Sequence, residues 1–257
     1  MKPWRCWQIF RTAMPESAEN GSEPERRLAP SEPASGWQPH PHAGHTLVYH
    51  VAARLLRLFL RLYGHCTVEG VENVPRTGPL LLACNHVSYL DPIMVLAALY
   101  RYRFTRSVAK SELWRSRLVA WFLDQVGASP VRRHSGDFAA IRRVLLWLEH
   151  GEAVLLFPEG GRSPDGKLQA PEQGLGFIAL KSNVPIVPVA VFGSWQMLPA
   201  HRNSLRRSRL RVVFGEPRRL PAQISRVEAA EIVMDWIREI QAQEAGSPPS
   251  RQVASCH

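Results

Sequence analysis

The chain has 257 residues, enough for one or two domains, and 45% of them are hydrophobic, which excludes a disordered or fibrous protein. Lys and Arg number 32 against 22 Asp and Glu, a formal net charge of +10 with an isoelectric point near 10.1, so an acidic partner is expected. Cys6, Cys66, Cys84 and Cys256 make no CxxC pair and no regular spacing, which supports neither a disulfide scaffold nor a zinc site and favours a reducing compartment.

Residues 1–45 carry seven prolines among Ser, Glu and Gly and lose apolar periodicity after Phe10, so they read as a disordered tail. His40, His42 and His45 within it read as solvated rather than metal-binding. No apolar run follows Lys2, Arg5 and Arg11 as a secretory signal requires, and nowhere does the chain offer about 18 uncharged apolar residues for a membrane span. The expected location is the cytoplasmic side, with the membrane surface open to it. Residues 46–64 predict a basic amphipathic helix. His50, Arg54, Arg57 and Arg61 form one stripe, while Leu47, Val48, Val51, Leu55, Leu58, Phe59 and Leu62 fill the rest. Arginine at the centre of a span costs about 2.5–3.5 kcal/mol, so this helix is expected to lie in the interface of an anionic membrane, with Arg54, Arg57 and Arg61 towards the lipid head groups.

From residue 65 to 243 the pattern alternates. Leu80–Cys84, Arg103–Ala109, Ala128–Val131, Val154–Phe157, Ile186–Phe192 and Leu210–Phe214 are short apolar runs that read as strands. Between them, residues 137–150 repeat apolar positions at Phe138, Ile141, Leu145 and Leu148 and stop at Gly151, as a helix with a glycine cap does. A last helix opens on Ser225-Arg226-Val227-Glu228, a capping box. The expected fold is α/β: one domain, a mixed and mostly parallel sheet flanked by helices, preceded by the amphipathic helix. Residues 244–257 read as a loose tail.

After the first of these strands stands Asn85-His86-Val87-Ser88-Tyr89-Leu90-Asp91-Pro92. A residue before proline is pushed out of the helical region, so Asp91 is expected to cap a helix with Pro92 as its first residue. The turn from His86 to Asp91 then returns a carboxylate to an imidazole, the arrangement of a general base. Phe157-Pro158-Glu159-Gly160-Gly161-Arg162-Ser163 again follows a strand, with two glycines for close backbone approach and an arginine suited to phosphate. Gly127-Ala128-Ser129-Pro130-Val131-Arg132-Arg133 ends on paired arginines, and Val184-Pro185-Ile186-Val187-Pro188-Val189 is a proline-punctuated strand that also fits a sheet edge.

Together these blocks resemble the glycerolipid acyltransferases, the 1-acylglycerol-3-phosphate acyltransferases and their relatives. NHVSYLD is similar to the family's NHxxxxD, GASPVRR ends on the family arginine at Arg133, FPEGGRS matches FPEGTRS, and VPIVPV is the fourth block. The likeness runs in order from Val68 to Phe214, with one departure, Gly161 for threonine.

The resemblance implies that His86 deprotonates the free hydroxyl of a lysophospholipid while Asp91 orients the imidazole. Arg133, Glu159, Gly160, Gly161 and Arg162 would build the phosphate site, with Asn85, Ser88 and Pro188 in support. Backbone amides near the helix start would face the oxyanion. The co-substrate would be acyl-CoA or acyl carrier protein, with no cofactor and no metal, and the enzyme would sit peripherally on the cytoplasmic face of the membrane. A different lyso-acceptor, such as a lyso-ornithine lipid, lysophosphatidylglycerol or glycerol-3-phosphate, is the alternative. Nucleic acid is not an expected partner, because the arginines from Arg202 to Arg219 lack interleaved stacking aromatics.

Overall fold

The computed structural model describes residues 46–131, 138–199 and 204–246; the tail predicted over 1–45, the segment holding Arg133 and the last residues lie outside them. In chain order the elements are α1 (Leu47–Gly64), β1 (Thr67–Glu69), β2 (Leu80–Cys84), α2 (Leu90–Leu99), β3 (Thr105–Lys110), α3 (Arg117–Gln125), β4 (Ala128–Val131), α4 (Phe138–Glu149), β5 (Ala153–Leu156), α5 (Gln173–Ser182), β6 (Ile186–Phe192), α6 (Ser194–Met197), β7 (Arg211–Phe214) and α7 (Arg226–Gly246). The strands form one seven-stranded sheet in the order β1-β7-β6-β2-β5-β3-β4, parallel throughout except between β6 and β7. That is the mixed, mostly parallel sheet expected.

Both faces of the sheet are covered, which is why its central strands read as unbroken apolar runs. Leu80, Leu82 and Cys84 point to one face with Ala153, Leu155, Val187 and Val189, beneath α2 and the inner side of α1. Leu81, Ala83, Val154, Leu156 and Ile186 point to the other, beneath α4, α5 and α7. Successive strand residues thus serve two cores.

Several boundaries differ from the expected ones for identifiable reasons. Arg103 does not begin β3; its guanidinium donates to the carbonyls of Pro75 (2.8 Å), Gly151 (2.9 Å) and Gly78, tying three loops at the base of the sheet. β5 ends at Leu156, because Phe157 leaves the sheet to stack under His86. β6 is interior rather than an edge, paired to β2 and β7 on either side. Pro188 sits where the regular ladder to β7 ends: its carbonyl accepts from Gly215 N (2.8 Å), and beyond it that side of β6 keeps only the isolated Ile186–Arg218 bridge, so the N–H it lacks is lost at the end of the pairing. α7 is capped by Ser225, whose hydroxyl accepts from Glu228 N (3.1 Å), and runs on to Gly246, past the expected limit at 243.

The crossovers fix where a site can form. β2 leads to α2 on one face of the sheet while its parallel neighbour β5 leads to α5 on the other. The chain therefore parts between the C-terminal ends of β2 and β5, leaving a crevice at the switch point where open α/β sheets hold their ligands.

Candidate active site

The segment after β2 and the segment after β5 meet in that crevice. Asn85 anchors the first to β6: its side-chain oxygen accepts from Val191 N (2.8 Å) and its amide donates to Val191 O (3.3 Å). The backbone at His86 is then gripped by the second. His86 N donates to Glu159 Oε1 (2.6 Å), and Ser163 N donates to His86 O (2.8 Å). The imidazole stacks on Phe157 with ring centroids 4.0 Å apart, and its side chain keeps 16% exposure.

Asp91 is fully buried, and its Oδ2 accepts from His86 Nδ1 (2.9 Å), Val87 N (2.6 Å) and Ser88 N (2.6 Å). A carboxylate can only accept, so the proton of a neutral imidazole stays on Nδ1 and donates to Asp91, which leaves the lone pair on Nε2, the atom free to act as a base. The capping role expected of Asp91 is corrected here. α2 begins at Leu90 with Tyr89 as its cap residue, and Asp91 and Pro92 are the second and third helical residues. Proline is tolerated anywhere in that first turn, whose N–H groups have no intrahelical partner. Ser88 does the capping instead: its hydroxyl accepts from Leu90 N (3.1 Å) and donates to Leu198 O (2.6 Å). The N–H groups of Val87, Ser88 and Leu90 are thereby engaged within the turn, and Asp91 N donates to Ser88 O (3.4 Å).

Glu159 is a strut rather than a phosphate contact. Oε1 takes His86 N and Oε2 takes Gln169 N (2.9 Å), so both oxygens are committed to the backbone. Burial pushes its carboxyl up to about 7, against the pull of those two N–H groups. Arg162 is the better candidate for an anion contact. Its guanidinium carbon lies 3.5 Å from the centroid of the Tyr89 ring, and its Nη1 is buried with no hydrogen-bond partner among the described residues. A cation held flat on an aromatic face with an N–H edge unspent is suited to a phosphate or carboxylate. Gly160 has φ 63°, the left-handed region that favours glycine, whereas a side chain at Gly161 would meet nothing within 4 Å.

Other sequence candidates fall outside the chemistry. Burial pushes the Cys84 thiol well above its ordinary range, so it is no nucleophile. No group of three metal-ligating side chains occurs among the described residues. Arg54 and Arg61 are exposed on α1, but Arg57 is half-buried, with Nη1 buried and unpartnered among the described residues. A loop-shaping part for Glu159 was legible in its sequence block, but its grip on His86 N and the place of Tyr89 under Arg162 were not, because both depend on contacts between segments distant in the chain.

A family model described as Acyltransferase matches residues 65–192, which contain His86, Asp91, Glu159 and Arg162. The chain is 29% identical over 154 residues to a chloroplastic 1-acyl-sn-glycerol-3-phosphate acyltransferase of Brassica napus, covering 58% of this chain and 44% of that protein. It thus spans less than half the length of that plant relative. It is 29% identical over 171 residues to the 1-acyl-sn-glycerol-3-phosphate acyltransferase of Bacillus subtilis (66% of this chain, 82% of that one) and 34% identical over 138 residues to a lyso-ornithine lipid O-acyltransferase of Pseudomonas aeruginosa (53% and 51%). The crystal structure of PlsC, the 1-acyl-sn-glycerophosphate acyltransferase of Thermotoga maritima, shares the fold with a TM-score of 0.63 at 24% identity, covering 78% of this chain and 84% of that one. With the site's residues inside the matched segment and the sheet topology shared, the chain belongs to the glycerolipid acyltransferase family.

Proposed function

We propose that the protein transfers a fatty acyl group from an acyl thioester to the free hydroxyl of 1-acylglycerol-3-phosphate, forming phosphatidic acid. The observation that carries this reading is the His86–Asp91 dyad at the switch point beside Arg162, a base for the hydroxyl next to an unspent cation for the phosphate. His86 Nε2 takes the hydroxyl proton as the oxygen attacks the thioester carbonyl. The tetrahedral adduct collapses, the C–S bond breaks, and the departing thiolate takes the proton back from the imidazolium. Asp91 holds the ring and offsets the positive charge it gains. No covalent acyl-enzyme forms. Ser88, the only aliphatic hydroxyl in the turn from Asn85 to Asp91, is spent on Leu198 O and the helix start.

The donor is acyl-CoA or acyl carrier protein, and the enzyme works peripherally on the cytoplasmic face of a membrane; the exposed leucines of α1 beside Arg54 and Arg61 support a surface contact, and no described helix is long and apolar enough to cross a bilayer. Arg133 is assigned to the same phosphate site by its place in the sequence block alone. A lyso-ornithine lipid is the second acceptor reading. The Pseudomonas relative and the open space at Gly161 favour it. Incubating the protein and membranes with labelled acyl-CoA against a panel of lyso-acceptors, with products identified by mass, tests both. Label in phosphatidic acid supports the first reading, label in an ornithine lipid replaces it with the second, and no acyl transfer to any lysolipid overturns both.

A further inference from the structure

The helix α3 departs from the usual economy of a folded chain. None of its residues is buried, yet Leu118 is 74% exposed and Val119, Trp121 and Phe122 stand out beside it, with Leu113 in the 3-10 turn just before. Their spacing at i, i+3 and i+4 places them on one side of the helix, the side turned from the sheet. An outward face of that kind on a monomer marks a contact surface. We propose that α3 is a second lipid-contacting helix, inserting its apolar edge into the head-group boundary of an anionic membrane leaflet next to α1.

Charge chooses the occupant. Arg115 and Arg117 are exposed at the head of the patch, while Asp124 is half-buried and accepts from Trp114 Nε1 (3.1 Å), leaving Glu112 as the one exposed acid from Ser111 to Gln125. Arg117 opens the helix with no acidic residue in the first turn, the reverse of what the helix dipole favours. The cation is thus not there for the helix. On α1, Leu47, Val51, Leu55, Leu58 and Leu62 form an exposed stripe flanked by Arg54 and Arg61, with no acid anywhere in the helix. Leucine, Trp and Phe edged by arginine suit an anionic lipid surface.

Position agrees. A right-handed crossover from β3 to β4 puts α3 on the same face of the sheet as α2, the face on which α1 lies. Phe104 joins the two patches: its ring packs on Tyr49 of α1 at 5.5 Å, and the backbone at Gly127, just past α3, presses so closely on it that a Cβ there would stand 2.3 Å from Phe104 Cζ. Both apolar edges therefore flank α2, whose first turn carries Asp91. Docking on this face would bring the lipid acceptor's own surface against the helix that orients the base. The inference rests on the proposed lipid acceptor only for that purpose; the contact itself is tested separately.

The experiment measures partition of the full-length chain to phosphatidylcholine vesicles with and without phosphatidylglycerol, together with hydrogen exchange over residues 113–125. Wild type is compared with the triple variant Leu118→Ser, Trp121→Ser, Phe122→Ser and with an α1 variant Leu55→Ser, Leu58→Ser, Leu62→Ser. The expected result is a roughly tenfold or greater loss of anionic-vesicle partition in the α3 variant at unchanged melting temperature, and vesicle-dependent slowing of exchange in α3 of the wild type. Arg115→Glu with Arg117→Glu disturbs no packed side chain and is expected to weaken binding to the anionic vesicles specifically. If the α3 variant partitions like wild type while the α1 variant does not, the inference fails and the membrane reading stands; if neither variant loses binding, both fail. Exchange in α3 that is already slow without vesicles overturns the lipid assignment in favour of another cover. Acceleration on deleting residues 1–45 identifies that cover as the chain's own tail, and dependence on protein concentration identifies it as a second copy.

Discussion

The His86 ring is fixed by three neighbours with separable duties, so substitutions at each should fail differently. His86→Ala removes the base and is expected to lower kcat by about 10²–10⁴-fold with folding intact, read by steady-state kinetics beside circular dichroism. Asp91→Asn should keep the fold, because an amide oxygen can take over the three contacts of Oδ2 while Oδ1, unpartnered among the described residues, leaves room for the amide nitrogen. It should nonetheless lose about 10²-fold or more in kcat, since a neutral amide no longer offsets the imidazolium. Full activity in Asp91→Asn would reduce that residue to a turn former. Glu159→Gln faces a donor towards one of two backbone N–H groups and should cost about 1–3 kcal/mol, seen as a lower melting temperature, together with a fall in kcat as His86 loosens. The pH sign follows from its carboxyl standing at about 7 in the fold against an ordinary 4.5. The folded form holds the proton more tightly, so this contribution to stability is fully present below 4.5 and is lost as pH rises through 7. The gap in melting temperature between wild type and Glu159→Gln should therefore narrow as pH rises over that window. Across the crevice, Tyr89→Leu and Arg162→Ala should each raise the acceptor KM several-fold with a smaller change in kcat, and the double variant should add little to Arg162→Ala alone, because the ring acts through the guanidinium. Additive losses would assign Tyr89 an independent role.

Elements differ in how plainly they announce themselves. The helix α5 packs so closely on α7 that a Cβ on Gly176 would lie 1.9 Å from Arg226 O, so Gly176→Ala is expected to destabilise by about 1–3 kcal/mol in a thermal melt while the site, on the other side of β5, keeps its geometry. That contact was invisible in the sequence, where Gly174-Leu175-Gly176 is only a pair of glycines in an apolar run. By contrast β2, β5 and β6 were readable because burial on two faces leaves no polar position to confuse the pattern. The three-residue β1 was not, since its residues are exposed or half-buried and no apolar run marks them. α3 escaped for the opposite reason: its apolar side turns outward, so periodicity there describes a surface and not a core. In α1 the basic stripe was legible, but the seam that holds the helix down, Tyr49, Leu56, Leu60 and Tyr63, runs through positions the composition alone did not separate from the exposed leucines.

At the scale of the whole molecule one topological fact, which the sequence did not show, brings the candidate site together: neighbouring strands β2 and β5 send their chains to opposite faces, and the two sequence blocks that follow them meet. The net charge of +10 was plain, but charge alone did not distinguish a lipid surface from a nucleic acid. The structure adds two exposed apolar stripes, on α1 and α3, to the exposed arginines, which supports the proposed lipid surface. A partner held by charge alone is released as salt shortens the screening length from about 10 Å at 0.1 M to about 3 Å at 1 M. One held also by buried leucine, Trp and Phe keeps the apolar share, which salt does not screen. Binding to phosphatidylglycerol-containing vesicles should therefore fall on raising salt to about 1 M and then level off at a residual partition, whereas any binding to duplex DNA should vanish over the same range. Co-sedimentation across a salt series measures both. A vesicle curve that falls to zero would show that the apolar stripes do not enter the membrane, and a nucleic-acid curve with a plateau would reopen the partner the arginines share.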